Sequence, residues 1–174
     1  MPVVNPQYTF RKAISADRSA IWQVLQDAIE RRKKDGSDQW QQGYPNPGTV
    51  ANDIGNGWGY VLEINGKVAA YAAVIFDVEP AYEILEGKWL TQDEYVVIHR
   101  VAVGDQFAGK GLATQLFLNI ENLASDKKLF SIRVDTKSDN LAMLKIFKNL
   151  NYTYCGEVYF HNSARKAFEK ILGS

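Results

Sequence analysis

"VAVGDQFAGKGLATQLF", residues Val101 to Phe117, runs from a β-rich apolar stretch, through two glycines flanking a lysine, into residues with helical spacing. A loop that leaves a strand and opens a helix aims several unpaired backbone N–H groups at one point, and the helix dipole adds partial positive charge there. Phosphate is the natural guest of such a point. Gly109 and Gly111 permit positive φ and let the backbone approach a ligand with no Cβ in the way, while Lys110 brings a charge close by. Ala113 keeps the first helical turn slim, and the Thr114 hydroxyl stands one turn in. A Walker loop has four residues between its glycines and a Lys-Ser/Thr after the second, and the dinucleotide pattern needs a third glycine where Thr114 stands, so neither motif is present. Glycine spacing alone leaves a tight turn and a phosphate cradle both open.

Around this loop the chain alternates between strands and helices. Upstream, "YVVIHRVAV" is dense in β-branched residues and reads as a central strand. Downstream, a helix from about Gly111 to Ser125 carries Leu112, Leu116, Phe117, Ile120 and Leu123 on one face. A short strand "FSIRVDT" follows, then a helix in "SDNLAMLKIFKNL" capped by Asp139 or Asn140. "YTYCGEVYF" and "KAFEKIL" read as two last strands, although Lys166 to Leu172 fits a helical period equally well.

Toward the N-terminus, "YTFRKA" alternates as a first strand. A helix from about Asp17 to Lys34, capped by Ser15 or Asp17, repeats Ile21, Val24, Leu25, Ala28 and Ile29 at helical spacing. Its closing "RRKK" suits the negative end of the helix dipole and reads as a solvated turn. Asp35 to Gly48 has loop composition, and a short helix from Thr49 to Ile54, capped by Thr49, follows. Asn65-Gly66 joins two β-rich runs and marks a hairpin with a primed turn. Asp77 to Glu94 is acidic and reads as a solvated connection or as an acidic lip for a cationic substrate.

The 174 residues suit one domain spanning 1–174. Twenty basic and twenty acidic residues cancel, which removes the broad positive field that drives binding to nucleic acid or an anionic membrane. "MPVVNPQYTF" lacks the pattern of a signal peptide, and the longest apolar run, Val68 to Phe76, is short of the roughly 20 residues a span needs. Cys155 is the single cysteine and cannot form an internal disulfide, so the expectation is a cytoplasmic protein without a bound metal.

The pattern Gln106-x-x-Gly109-x-Gly111, placed after "RVAV" and opening an amphipathic helix, resembles the acetyl-CoA signature of the GNAT superfamily of N-acetyltransferases. The order of elements resembles that family over nearly the whole chain. In the later "DNLAMLKIFKNLNY", Asn140 stands where the family has the Asn that opens a helix beside the pantetheine arm, while Asn151-Tyr152 replaces its usual Gly-Phe. The resemblance implies an α/β (α+β) fold with a mixed, mostly antiparallel central sheet of six to seven strands flanked by about four helices. It implies acetyl-CoA as cosubstrate, an amine-bearing small molecule or peptide as acceptor, and leaves a homodimer open. It places the coenzyme along Val101, Ala102 and Val103, on Gln106, Phe107, Ala108, Gly109, Lys110 and Gly111, on Leu112, Ala113 and Thr114, and beside Asn140 and Phe147.

An alkyl amine, with a pKa near ~10.4, is mostly ammonium at neutral pH, so a base is useful. His99 is the leading candidate: it shares strand parity with Val97, Val101 and Val103, and the family often places a His or Glu on this strand. Glu94 and Glu63 are further candidate bases, and a backbone N–H between Val101 and Val103 would hold the oxyanion. Many family members have a tyrosine acid where this chain has Phe147, which leaves Tyr154, with Tyr152 and Tyr159, as substitutes in sequence. Cys155 reads as a small buried hydrophobe rather than a nucleophile. Arg165 contacts substrate or solvent, and Trp40, Trp58 and Tyr44 line an acceptor pocket or pack beneath a loop. The reading is direct acetyl transfer to a primary amine. Its rivals are a noncatalytic acyl-CoA sensor and a transferase with another acyl donor or a hydroxyl acceptor.

Overall fold

The computed structural model describes residues 8–161 and 163–173. Residues 1–7, the larger part of the stretch "MPVVNPQYTF" on which the signal-peptide reading rests, lie outside the described residues. Eight strands, β1 (Tyr8–Lys12), β2 (Gly59–Ile64), β3 (Lys67–Ile75), β4 (Glu86–Gly87), β5 (Val96–Val103), β6 (Ser131–Thr136), β7 (Thr153–Phe160) and β8 (Ser163–Ile171), hydrogen-bond in the order β1-β2-β3-β5-β6-β8-β7-β4. The β1–β2, β2–β3, β4–β7, β6–β8 and β7–β8 pairs are antiparallel, and β5–β6 is parallel. The α-helices are α1 (Arg18–Lys34), α2 (Pro47–Gly55), α3 (Pro80–Glu83), α4 (Leu112–Asp126) and α5 (Leu141–Asn149). The mixed, mostly antiparallel sheet is as expected. The additional elements are β4 and α3, which lie in the acidic segment that composition alone presents as a connection.

The chain divides into two compact units, one of the described residues up to Ala73 with Arg100–Leu116, the other of Val74–His99 with the residues from Phe117 onward. In the first, Asn65 (φ 51°) and Gly66 (φ 77°) both take left-handed conformations and turn β2 into β3, as a primed hairpin turn demands. Ile21, Val24, Leu25 and Ala28 of α1 bury their apolar stripe with Val50, Val61, Tyr71 and Ala102. Asn46, not Thr49, caps α2: its Oδ1 accepts from Thr49 N (3.0 Å), and Pro47 supplies the preset φ of the first helical residue. The helix therefore starts two residues earlier than the loop-like composition of "YPNPG" suggests.

Asp17 precedes α1 without capping it through its side chain. Its carboxylate instead accepts from Ile14 N (2.8 Å) and from both terminal nitrogens of Arg11 (2.8 and 2.9 Å), whose Nε also reaches Glu63 at 2.6 Å. Glu63 is thus the structural partner of Arg11.

The second unit centres on two groups of side chains. Phe117, Phe147, Tyr152 and Phe168 pack ring against ring, Phe117 edge-on to Phe147 and Tyr152 and the other pairs tilted, with centroids 4.9–5.9 Å apart. Arg133 lies over Trp89 (4.3 Å) and Tyr95 (4.0 Å) and reaches the fully buried Glu169 at 3.1 Å. The ladder of β8 pairs with both β6 and β7, which resolves the helix-or-strand ambiguity of residues 166–172 in favour of a strand. Gly87 and Gly156 permit β4 to lie against β7, since an added Cβ on either would come within 2.1–2.2 Å of a carbonyl oxygen of the other strand.

The hydrogen bonds from Arg11 hold the Asp17 pKa below its ordinary value. The unfolded chain therefore takes up the Asp17 proton first on acidification, so the contribution is present above about pH 4 and is lost as pH falls through the lowered native value. We expect Asp17→Asn to lower Tm at about pH 6 and the gap to the parent chain to narrow progressively as pH falls below about 4. A gap that widens in acid would contradict the assignment.

Candidate active site

The signature loop is tied down at its entrance and open beyond it. Gly104 N donates to Ala69 O (2.9 Å), and Asp105 N donates to Asp27 Oδ2 on α1 (3.0 Å). Arg31, also on α1, reaches Asp105 Oδ1 at 2.5 Å and the Val103 carbonyl at 3.2 Å. The end of α1 is therefore a clamp on the loop rather than only a solvated basic turn. After a single 3-10 turn, Asp105–Phe107, the chain passes Gly109 (φ 77°) and Gly111 (φ 73°) and enters α4 at Leu112.

From Gly109 to Thr114 the backbone N–H groups have no partner among the described residues; the first turn-closing bond is Gln115 N to Gly111 O at 3.1 Å. Residues 108–111 are exposed, and a Cβ added at either glycine would meet nothing within 4 Å. The glycines are required here by their positive φ and not by neighbours pressing on them. A run of free donors on an exposed loop, at the positive end of a fifteen-residue helix, suits a diphosphate. Lys110 is exposed and leans over the Phe107 ring at 5.9 Å, which makes it a neighbour of the cradle. Val101 and Val103 are half-buried, Ala102 belongs to the core, and Gln106 is exposed. Leu112 is buried, with Ala113 and Thr114 half-buried on the first helical turn.

Arg100, which the sequence does not single out, shapes the strand that feeds this loop. Its φ of 55° puts a long side chain in the left-handed region in mid-strand, breaking the strict alternation on which the shared parity of Val97, His99, Val101 and Val103 depends. The guanidinium is held by Asp53 of α2 through Nε (2.9 Å) and Nη2 (2.6 Å), and Nη1 reaches Tyr44 Oη at 2.6 Å. Tyr71 Oη donates to the same carboxylate at 2.5 Å. Burial and the adjacent Asp53 charge push the Tyr71 phenol well above its ordinary pKa. Burial is the largest influence and works against the Arg100 charge, but the hydrogen bonds to Asp53, with the charge interactions from Asp53, Tyr44 and Tyr71, together outweigh it.

His99 belongs to the second unit. Its Nε2 lies 3.4 Å from Glu79 Oε2 and its Nδ1 lies 3.9 Å from Asp135 Oδ2, so each ring nitrogen faces a carboxylate. The ring meets Phe160 edge-on at 6.0 Å and Tyr82 at 6.1 Å. Tyr82 donates to Asp135 Oδ2 at 2.5 Å, and burial followed by that carboxylate raises its pKa far above the ordinary phenol value. Arg165 closes the group with Nη1 3.6 Å from Asp135 Oδ1. Sequence spacing had no means of showing that residues 79, 82, 99, 135 and 165 converge.

The other candidates lie elsewhere. Glu94 is exposed and lines a separate cleft of about 550 Å³ with Lys128, Phe130 and Ile171, to which His99 does not contribute. Tyr154 is 52% exposed and donates to Glu157 Oε1 at 2.8 Å, which raises its pKa. Asn140 caps α5, accepting from Met143 N at 3.2 Å. Phe147, expected beside the coenzyme, is 1% exposed and packs within the aromatic group of the core. Tyr152 is buried on Glu121 (3.2 Å), Tyr159 is bonded to Glu86 (2.8 Å), and burial raises the Cys155 thiol above its ordinary pKa. Among the described residues, no group of side chains has the composition of a metal site, and no helix is long and apolar enough to cross a membrane.

The acetyltransferase (GNAT) family model matches residues 20–152, and the chain belongs to that family. A GNAT-family acetyltransferase from Streptococcus agalactiae is 36% identical over 98% of this chain and 100% of its own, with a TM-score of 0.88. A putative acetyltransferase from Staphylococcus aureus shares the fold at 23% identity, covering 95% of this chain and 99% of its own, with a TM-score of 0.74. A further one, from Salmonella typhimurium and solved with its cofactor acetyl-CoA, does so at 18% identity, covering 96% and 95%, with a TM-score of 0.69. No curated protein matches the chain significantly. Family membership makes the chain an acyltransferase of the N-acetyltransferase type.

Removing one partner of the Arg100–Asp53 pair leaves a buried charge uncompensated. We expect Asp53→Ala to cost about 3–5 kcal/mol of stability and Tyr71→Phe about 1 kcal/mol, read by urea denaturation. Equal, small losses from both would show that the pair does not hold the strand.

Proposed function

We propose that this chain transfers an acetyl group from acetyl-CoA to a primary amine by direct attack in a ternary complex, as a single N-acetyltransferase domain. The observation that carries the reading is the run of unpartnered N–H groups from Gly109 to Thr114, leading from an exposed loop into the start of α4, a fit for the coenzyme's pyrophosphate. Gly109 and Gly111 leave the cradle open, and the backbone of Val101 to Val103, directly before it, takes the pantetheine arm. Acetyl-CoA as the donor accords with family membership. The family match runs without a break through both compact units, which supports their working as one domain.

In the reaction the amine nitrogen bonds to the acetyl carbonyl carbon, the carbon–sulfur bond breaks, and its electron pair leaves on the coenzyme thiolate. The proton lost by the ammonium passes to His99, directly or through water, with Glu79 Oε2 3.4 Å from Nε2 orienting the ring. Asp135, 3.9 Å from the other ring nitrogen, holds the ring in place. Position 147 is Phe and offers no phenol acid, so the thiolate leaves unassisted and takes up, through water, the second proton that the nitrogen loses as the amide forms.

Thiol release measured against a panel of diamines, polyamines, aminoglycosides, amino acids and peptide N-termini tests the reading. Acetyl-CoA bound tightly without amine-dependent release would favour the sensor instead. Gly111→Val, which adds a branched side chain at φ 73°, should weaken acetyl-CoA binding by about tenfold or more, roughly 1.4 kcal/mol. Calorimetry showing unaltered affinity in a folded variant would remove the phosphate assignment. His99→Gln should lower kcat by about 10²–10⁴-fold, most at pH values below the acceptor's pKa. A pH–rate profile of unchanged shape would exclude His99 as the base.

A further inference from the structure

We infer that the cleft between α1 and the loop of residues 38–46 binds a second ammonium group of the acceptor, and that the acceptor is a small polyamine. This deepens the amine-transfer reading and rests on it. The cleft encloses about 670 Å³, enough for a small molecule. Trp22 on α1 and Trp40 on the loop contribute two indoles to its lining, and Gln26 and Gln41 contribute side-chain amides.

Charge selects the guest. The lining contains two carboxylates, Asp27 and Glu30, and no lysine or arginine. The Asp27 carboxylate is already engaged, accepting from Gln23 Nε2 at 2.9 Å and from Asp105 N at 3.0 Å. Glu30 is exposed and makes no ion pair among the described residues, so its carboxylate is available to a ligand. A negative rim beside two electron-rich indoles attracts an alkylammonium through its charge and through cation–π contact, while the methylene chain covers apolar surface. An anionic acceptor finds no lysine or arginine in the lining to pair with. Trp40 holds a left-handed φ of 65°, a conformation a bulky residue does not take unaided, and its ring packs against the core cluster at the cleft wall.

The cleft connects with the transfer machinery of its own unit at two points. Asp27 bonds the first residue of the 3-10 turn that leads into the Gly109–Gly111 loop. Tyr44, between the lining residues Gly43 and Pro45, bonds Arg100 on β5 at 2.6 Å. A ligand seated here therefore lies beside elements that hold the coenzyme strand, and an extended amine has a reacting end and a recognition end.

Spermidine is the probe, titrated into the protein without acetyl-CoA while tryptophan fluorescence is followed, with 1,8-octanediol as an uncharged chain of similar length. We expect saturable binding of spermidine and none of the diol, weakened about tenfold or more by Glu30→Gln on the exposed face of α1. Trp40→Phe, a milder change than removal of the ring, should weaken binding and reduce the fluorescence response. In thiol-release assays, Glu30→Gln should raise KM for spermidine more than it lowers kcat. Affinity unchanged in both variants, or an equal response to the diol, overturns the cleft assignment. Spermidine binding that depends on Glu30 without any thiol release supports the cleft and removes the transfer reading. Release from other amines with a spermidine KM indifferent to Glu30 removes the cleft and leaves the transfer reading standing.

Discussion

The Arg100–Asp53 pair is the interaction on which the first unit is organised. A left-handed residue in mid-strand costs roughly 1–3 kcal/mol, and an arginine does not take that conformation for local reasons. The return comes from two hydrogen bonds to a buried carboxylate, at 2.6 and 2.9 Å, each of a kind worth about 1.5–3 kcal/mol. Those bonds outweigh the backbone strain, and so α2, which carries Asp53, dictates the path of β5. Tyr44 and Tyr71 join the same two side chains, so the loop before α2 and the second strand of the hairpin are fastened at one point.

That fastening explains how the next segment is left unfinished without collapsing. A helix start normally hides its orphan donors behind a cap, as Asn46 does for α2 and Asn140 for α5. At α4 the donors from Gly109 to Thr114 stay open. The loop does not fold back to satisfy them, because Arg31 and Asp27 hold its entrance and two positive-φ glycines set its path. Free donors in a restrained loop are a preorganised anion site, since the ordering cost is met by folding and not by the ligand.

The legible parts of the chain are those where local chemistry decides. Asn65-Gly66 specifies a primed turn by itself, and the turn is there. The apolar period of α1 names its buried face, and the buried residues include Ile21, Val24, Leu25 and Ala28. The strand-loop-helix around Gly109 and Gly111 is legible for the same reason: positive φ and orphan amides are properties of a few consecutive residues. β8 was ambiguous because Glu169 sits at an inward position, and a carboxylate there reads as a surface residue until Arg133 is known to meet it. The acidic segment misled in the same way. It looks solvated by composition, yet Tyr82 within it is fully buried and Glu79 faces His99.

By itself, then, the sequence determined the order of the elements, the hairpin, the donor-rich loop and the family resemblance, because each is written in residues close together along the chain. Only the tertiary structure decided what long-range pairing controls. It set Arg100 against Asp53, removed Phe147 to the core, gave Glu63 to Arg11, and gathered residues 79, 82, 99, 135 and 165 around one imidazole. Buried charges select partners by proximity in space, and no period or spacing in a sequence encodes which carboxylate a distant arginine or histidine will meet.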